Sequence, residues 1–406
     1  MKTVCLICNY WHFPSEKSSS RYFQLANMLT ESGYRVDVIT SDFRHSTKSF
    51  REKKITNDSF SFNIELIHEP GYQKNISIKR LISARLFAKN VCRFLRKTDR
   101  KYDLIFCSVP TLSLGSKTLK ESRKKRIPFA IDLQDLWPDA FKMAFHVPVL
   151  SSVVFFPFKQ KAKFIYKNAD GLSAVSQTYL NYMLSIRGSN NCPTSFAYLG
   201  NDFSAEKIEV LKKQAKNNNN YFTIGYAGSL GKSYDLETVI KAISILQEEG
   251  INNIRFFIMG DGDKREKLED MAKTLNVKCL FFGQLRFDDM MIKLLESDVT
   301  VNCINKNSVA SIINKVGDYA LAGKPTINTL KSKEYADLLE SFGAGLNVEP
   351  DNPEAMAGAI KYYYNMSNEQ LKQIGENHYL IEKLYFDRNK TYKDIIKMCD
   401  TLVEKQ

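Results

Sequence analysis

The 406-residue sequence contains only two Trp, five His and 11 Pro. It has no apolar run approaching the roughly 20 residues needed to cross a bilayer. After Met1-Lys2 a short apolar stretch gives way to the polar Pro14-Ser-Glu-Lys-Ser-Ser-Ser20, which is not the pattern of a signal peptide. Eight Cys are scattered at 5, 8, 92, 107, 192, 279, 303 and 399. Cys5 and Cys8 make one C-x-x-C, but no second pair or His cluster completes a metal site, and both lie in the apolar run Val4–Cys8. They read as structural thiols in a reducing compartment. A share of 44% hydrophobic and 12% aromatic residues excludes a disordered chain, and the length suits two domains.

Acidic residues are in short supply in the first half. Residues 1–200 carry 31 Lys+Arg and 15 Asp+Glu, whereas 201–406 carry 27 and 30. The net +13 therefore belongs to the N-terminal half, which is expected to meet something anionic.

Along the chain the rhythm is strand, loop, helix. Thr3–Cys8 reads as a buried parallel strand, Arg21–Glu31 as a helix stopped by Gly33, and Arg35–Thr40 as the next strand. Residues 62–68, 103–109, Phe129–Leu133 and Ala169–Val175 continue the series, with Ser176 as an N-cap. A composition break at 200–220, including the polar run Lys216–Asn220, separates a second series. In it, Phe222–Tyr226, Ile254–Met259, Cys279–Phe282, Val299–Ile304 and Thr326–Ile327 read as strands; Asp235–Glu248 and Arg265–Leu275 read as helices. Such alternation predicts two α/β units, each a parallel sheet covered on both faces, with a cleft between them. Ligands of such sheets bind at the carboxyl ends of the strands.

Four loops are candidates for chemistry. Tyr226-Ala-Gly228-Ser229-Leu-Gly231 follows a strand; its glycines permit close backbone approach, and Lys232 adds a charge suited to phosphate. Met259-Gly260-Asp-Gly262-Asp263 contains a D-x-D able to hold Mg²⁺ against a diphosphate, but a turn with Asp263 near the next helix N-cap is the favoured reading. In the helix expected over 312–322, Asn314, Lys315 and Asp318 precede Gly323-Lys-Pro325. Lys315 and Asp318 share a face, as a diphosphate-binding cation and a hydroxyl-binding carboxylate or as a plain surface ion pair. Asp132-Leu-Gln-Asp135-Leu-Trp-Pro138-Asp139 ends a strand of the first half, and reads as a site or as a buried turn packed on Trp137.

These pieces, in this order, resemble the family 4-like glycosyltransferases of the GT-B fold, over most of the chain. They include Arg21 in the first loop, the D-x-x-D-L-W-P block, Ser173-Ala-Val-Ser176, Leu199–Asp202, Gly228–Gly231, Gly260-Asp-Gly262, Gly283 and Asn314-Lys315…Asp318-Tyr319…Gly323-Lys-Pro325. The kin it resembles are bacterial enzymes of capsule or O-antigen assembly. The resemblance implies two Rossmann-like domains: 1–200 for the acceptor, 201–385 for the nucleotide sugar, and a helix at 386–406 returning to the first domain. It implies retaining, metal-independent transfer of a sugar, with no cofactor besides a nucleotide sugar, UDP-linked, as donor substrate. Two departures stand out. Where the family often carries two Glu eight residues apart, this sequence has Ala310 and Asp318. At the Arg position of the first phosphate loop it has Ser229, leaving Lys232 or Arg286 to substitute.

On the acceptor side, Ile76–Lys97 is expected to be a helix with Arg85, Lys89, Arg93 and Arg96 on one stripe and Leu81, Ile82, Leu86, Val91 and Leu95 opposite. The apolar Val147–Phe158 is followed by Lys159, Lys161, Lys163 and Lys167. Apolar residues beside lysines suit an anionic membrane surface. A core helix with a solvated basic face is the alternative. The resemblance implies a lipid-diphosphate-linked glycan as acceptor, handled by a cytoplasmic enzyme resting on the inner face of the membrane. Nucleic acid is disfavoured, since no recognised module accompanies the basic residues. The expected roles are donor binding by Gly228, Ser229, Gly231, Lys232, Gly260, Gly262, Arg286, Asn314, Lys315 and Asp318, with no metal. Asp135 is the first candidate for an acceptor-side base, then His146 and His12. A sugar-nucleotide epimerase of the same fold and a catalytically weak scaffold are the competing expectations.

Overall fold

The computed structural model describes residues 1–16, 21–51, 60–75, 77–109, 111–136, 148–216, 220–306 and 312–405, with backbone only at 15 and 148–154. The chain divides into two compact units, Met1–Tyr198 with Arg388–Gln406, and Leu199–Asp387.

The N-terminal unit holds a seven-stranded sheet ordered β5-β2-β1-β6-β7-β8-β9. These are β1 Thr3–Cys8, β2 Arg35–Ser41, β5 Asn63–Ile67, β6 Leu104–Ser108, β7 Phe129–Leu133, β8 Gly171–Ala174 and β9 Thr194–Phe196. Every pairing is parallel. A small hairpin, β3 Phe43–Arg44 with β4 Ser49–Phe50, follows β2. The strands read as apolar runs because both faces are covered. Val4, Leu6 and Cys8 pack with the helices Arg21–Glu31 and Arg388–Glu404. The side-chain period of two places Cys5 on the opposite face from Cys8. The C-x-x-C therefore cannot act as a pair, and all eight thiols are free.

The other face carries the helices Ile78–Lys97, Leu112–Lys125 and Pro148–Asn168, which pack in that order. Ile78–Lys97 corrects the expected stripe. It buries Ala84, Phe87, Ala88, Val91, Cys92 and Leu95, spaced three and four apart, while Ile82 and Leu86 are exposed at 46% and 38%. The latter two thus share the outer face with Arg85 and Lys89.

The C-terminal unit is a six-stranded parallel sheet ordered β12-β11-β10-β13-β14-β15. These are β10 Phe222–Ala227, β11 Ile254–Met259, β12 Cys279–Gly283, β13 Val299–Asn302, β14 Thr326–Asn328 and β15 Gly345–Asn347. Ile224, Phe256 and Val301 pack with the helices Leu236–Glu248 and Pro353–Tyr364. On the other face Phe257 and Met259 pack with Phe287–Leu295 and Lys315–Ala322. The helix Lys315–Ala322 ends where Gly323 turns left-handed at φ 61°. Asp263 is not the cap of the helix Arg265–Thr274; Lys264 holds that position and makes no side-chain cap bond. The centre of this sheet order puts the loops after β10, β11 and β13 side by side.

Candidate functional site

Beyond β10 the chain turns at Gly228. The Gly228 and Leu230 amides donate to the carbonyls of Met259 and Asp261, both at 2.9 Å, and the Lys264 amide donates back to Leu230 at 3.0 Å. These bonds zip the loop after β10 to the loop after β11. Only glycine fits the seam: a Cβ on Gly260 would lie 1.7 Å from the Gly228 carbonyl oxygen, and one on Gly262 would lie 2.7 Å from that of Leu230. Tyr226 Oη donates to the Ser229 carbonyl at 2.7 Å and fixes the turn. The loop after β13 closes the other side. Asn305 donates from its amide to Ser233 at 3.1 Å and from Nδ2 to the Lys232 carbonyl at 2.6 Å. The Lys232 backbone is therefore clamped while its side chain is exposed. Among the described residues the Ser229, Gly231 and Lys232 amides donate to no protein carbonyl and stay available to an anion.

The helix Lys315–Ala322 is anchored to the same strand end. Tyr319 Oη accepts the Ala227 N–H and donates to the Ala227 carbonyl, each at 3.1 Å. Tyr319 sits one turn into the helix, so the first turn, with Asn314, Lys315 and Asp318, lies by the end of β10. Asn314 makes no side-chain cap bond. Lys315 Nζ is 3.4 Å from Asp318 Oδ2, with the lysine side chain one-third exposed and the aspartate mostly buried. A helix N-terminus and a lysine together favour an anion there. Gly228, Ser229, Gly231, Lys232, Gly260 and Gly262 thus form one seam, joined to Asn314, Lys315 and Asp318 through Tyr319. Arg286 is exposed after β12, at the sheet edge two strands from β10, and no bond among the described residues ties it to that seam. Asp261 Oδ1 accepts the next residue's amide at 2.9 Å, and no group of three His, Cys, Asp or Glu among the described residues is placed to hold a metal.

In the N-terminal unit Asp132 is buried, not presented. It receives Arg21 in a two-point ion pair at 2.9 and 3.0 Å, Tyr22 Oη at 2.8 Å and Ser173 Oγ at 3.0 Å. Arg21 is itself 4% exposed and also donates to the Ala197 carbonyl at 2.9 Å. This network ties the first helix to β7, β8 and the chain beyond β9, which makes the first carboxylate of the D-x-x-D block a positioning residue. Asp135, three residues on, is exposed and faces Arg80; the surrounding protein raises its carboxyl pKa and Arg80 opposes the shift. His12 is half-buried, its pKa lowered by burial and by Arg51 against Glu16. His146, Trp137, Pro138, Asp139 and Ala310 lie outside the described residues.

Sequence reasoning missed the braces Tyr226, Tyr319 and Asn305. Tyr319 and Asn305 bond backbone groups 92 and 73 residues away, which leaves no local signal, and Tyr226 acts through its hydroxyl on a carbonyl three residues on, which residue type alone does not reveal. It also missed Tyr10, His45, Lys48, Tyr72 and Arg80, which converge beyond β1, β2 and β5.

Residues 207–380 match the family described as glycosyl transferases group 1. An uncharacterised glycosyltransferase of Methanocaldococcus jannaschii is 26% identical over 254 residues, spanning 61% of this chain and 63% of the relative. The alignment thus covers less than two-thirds of that relative's length. Among solved structures, HepE of Anabaena in complex with UDP has a TM-score of 0.68 at 16% identity over 99% of this chain and 100% of its own. HepE has also been solved with UDP-glucose. Sucrose-phosphate synthase of Thermosynechococcus elongatus has a TM-score of 0.71 at 15% identity, covering 100% of both chains. At these identities the two structures speak for the fold.

Proposed function

We propose, from the premise that this chain belongs to the group 1 glycosyltransferases and has the GT-B fold, that it moves a sugar, with retention, from a UDP-sugar to a lipid-diphosphate-linked glycan in surface polysaccharide assembly. The observation that carries the donor half is the seam of the loops after β10 and β11 joined by Tyr319 to the start of Lys315–Ala322, inside the segment that matches the family. Free amides at Ser229, Gly231 and Lys232 would meet the diphosphate. Lys315 would neutralise the charge that grows on it as the glycosidic bond breaks, and Asp318 would accept ribose hydroxyls. The charge is met by groups already in place, so little reorganisation is needed during reaction.

Support for a lipid-borne acceptor comes from the outer face of the helices Ile78–Lys97, Leu112–Lys125 and Pro148–Asn168. Lys89, Lys117 and Lys120 make no ion pair among the described residues, while Lys161 has its pKa lowered by burial and then by Arg85, Lys117 and Lys120. That crowding marks a positive surface, on which Glu121 pairs with Arg96 and Lys124 and not with these lysines. Ile82, Leu86 and Phe156 (58% exposed) stand on these same helices, the pairing of charge and apolar area that suits an anionic lipid interface. No helix of the described residues is long and apolar enough to cross a membrane.

The test is Lys315→Ala. The ion pair it removes is partly exposed and within one helix turn, so folding should change by less than about 1 kcal/mol. Loss of a preorganised cation at the leaving group should cut transfer about 100-fold or more. Wild-type turnover in that variant rejects the assignment. Incubation of the enzyme with donor alone separates transfer from epimerisation, because an epimerase converts its nucleotide sugar without acceptor.

A further inference from the structure

Tyr10, His45, Lys48, Tyr72 and Arg80 come from four separate segments and meet at the carboxyl end of the N-terminal sheet. Tyr72, 5% exposed, is the floor. His45 Nδ1 is 2.5 Å from Tyr72 Oη. Lys48 Nζ lies 5.1 Å from the centre of the Tyr72 ring, and the Arg80 guanidinium lies 5.7 Å from it. Arg80 also donates to Tyr10 Oη at 2.9 Å, and the Tyr10 ring lies 4.7 Å from the His45 imidazole. The chain pays some backbone strain for this placement, since Lys48 is left-handed at φ 56° in the turn between β3 and β4. Lys48 Nζ donates to the His45 carbonyl and stands 3.3 Å from His45 Nδ1.

The carboxylates near the cluster are engaged away from Lys48 and His45. Lys48 makes no ion pair among the described residues. Asp135 faces Arg80, and Glu69 near Tyr72 is held by Asn9 at 3.0 Å and Ser83 at 2.8 Å. Neither carboxylate answers Lys48 and His45. The imidazole is pushed down to about 4, by burial first and then by Lys48, Arg80 and His12. A site with two fixed cations, a neutral imidazole and tyrosine hydroxyls suits a dianionic tetrahedral oxyanion.

We propose that Lys48, His45 and Arg80, with Tyr10 and Tyr72, form a phosphate-recognising subsite for the acceptor, so that this unit selects acceptors by a phosphate group as well as by sugar. The proposal rests on the reading that this unit takes the acceptor. The phosphate belongs either to a lipid diphosphate or to a free sugar phosphate, and the two sources are separable by experiment.

The test uses the full chain with UDP saturating, which keeps the added anion out of the donor seam. The five His rings are followed by NMR with the Cε1 carbons labelled, His45 being assigned by its loss in His45→Gln. Inorganic pyrophosphate should move the His45 resonance and raise its apparent pKa by a unit or more. Lys48→Ala should weaken that response about 10-fold and Lys48→Arg should restore it, given the strength of charge-assisted hydrogen bonds. In transfer assays Lys48→Ala should raise KM for a short-chain lipid-diphosphate glycan by a similar factor, with UDP affinity unchanged. A His45 resonance indifferent to pyrophosphate, or a response that survives Lys48→Ala, overturns the subsite. Pyrophosphate binding lost together with an unchanged acceptor KM overturns its role toward the acceptor while leaving the donor reading intact. A KM effect confined to free sugar phosphates retains the subsite and rejects the lipid-linked acceptor.

Discussion

Replacing Asp132 with Asn discriminates between a carboxylate that works and one that holds the fold. Asp132 is fully buried and meets Arg21 at 2.9 and 3.0 Å; Arg21 has 4% of its side chain exposed. Asparagine keeps the volume and one acceptor oxygen but removes the charge. The guanidinium is then left in the interior with no counter-charge, which costs about 3–5 kcal/mol. The bonds from Tyr22 Oη and Ser173 Oγ also weaken, at about 1 kcal/mol each. The assay is favoured by composition: the two Trp, at 11 and 137, both fall within 1–198, so tryptophan fluorescence in urea reports the N-terminal unit. With a slope of about 2–3 kcal/mol per M, a loss of about 5–7 kcal/mol should lower the midpoint by roughly 2–3 M. UDP binding by calorimetry, proposed for the other unit, should be unchanged. The double variant Arg21→Met with Asp132→Leu should recover much of the loss, since a buried pair replaced by apolar residues of similar volume is often neutral. A midpoint within 0.2 M of wild type (~0.5 kcal/mol at that slope) with transfer abolished would refute the structural assignment and make Asp132 part of the chemistry.

Two further outcomes follow from charges elsewhere. His378 is buried, its Nδ1 lies 2.7 Å from the Lys324 carbonyl, its Nε2 has no hydrogen-bond partner among the described residues, and its pKa is lowered to about 4 by burial. The folded unit keeps it neutral while the unfolded chain takes up a proton, so its contribution to stability is present above about pH 6.5 and lost toward pH 4, at about 1.4 kcal/mol per unit. The opening free energy from amide exchange across β14, corrected for the intrinsic exchange rate at each pH, should fall accordingly on acidification, and His378→Gln should flatten that dependence; an unchanged slope in the variant removes His378 as its source. On the basic face, Lys117→Gln with Lys120→Gln should cost about 2 kcal/mol of affinity for anionic phosphatidylglycerol vesicles, roughly 30-fold. Binding that is indifferent to both substitutions and to salt rejects that face as the lipid contact.

The strands were legible because parallel sheets bury both faces: Val4–Cys8 and Phe222–Ala227 are apolar runs with no competing period. The turn glycines were legible as well, although their cause was not. Gly260 and Gly262 read as a metal turn or, by preference, as a plain turn opening the next helix, and they are glycines because a Cβ on them would fall 1.7 and 2.7 Å from carbonyl oxygens of the neighbouring loop. What misled was chemistry judged by residue type alone. A D-x-x-D at a strand end looks the same whether its first carboxylate is turned inward to Arg21 or outward, and that orientation is set by residues 111 positions apart. The helix Ile78–Lys97 misled through phase: Leu81, Ile82 and Leu86 counted as one stripe with Val91, yet a shift of one or two residues moves the buried face to Ala84, Phe87 and Ala88. That shift puts Ile82 and Leu86 beside the cations.

The division of charge between the units bears on both proposed ligands. With the boundaries at 198 and 388, the N-terminal unit carries 36 basic and 18 acidic residues and the C-terminal unit 22 and 27. A net-negative unit is an improbable host for a diphosphate if net charge is the guide. It becomes a suitable one if the anion is met by oriented dipoles: free amides after β10 and a helix start held by Tyr319 supply fixed partial charges within hydrogen-bonding distance, where net charge is immaterial. An extended anionic surface presents the opposite problem. It offers no single point to which a few dipoles can be aimed, so attraction must come from many mobile cations acting over a Debye length of about 10 Å. Lys89, Lys117, Lys120 and Lys161 are placed on helices rather than in loops, and the pKa of Lys161 is lowered by burial first and then by repulsion from Arg85, Lys117 and Lys120. The unit tolerates that repulsion when isolated, and a negative surface would relieve it. The excess charge is therefore better explained by a lipid surface than by the acceptor's own phosphates, for which Lys48 and Arg80 suffice.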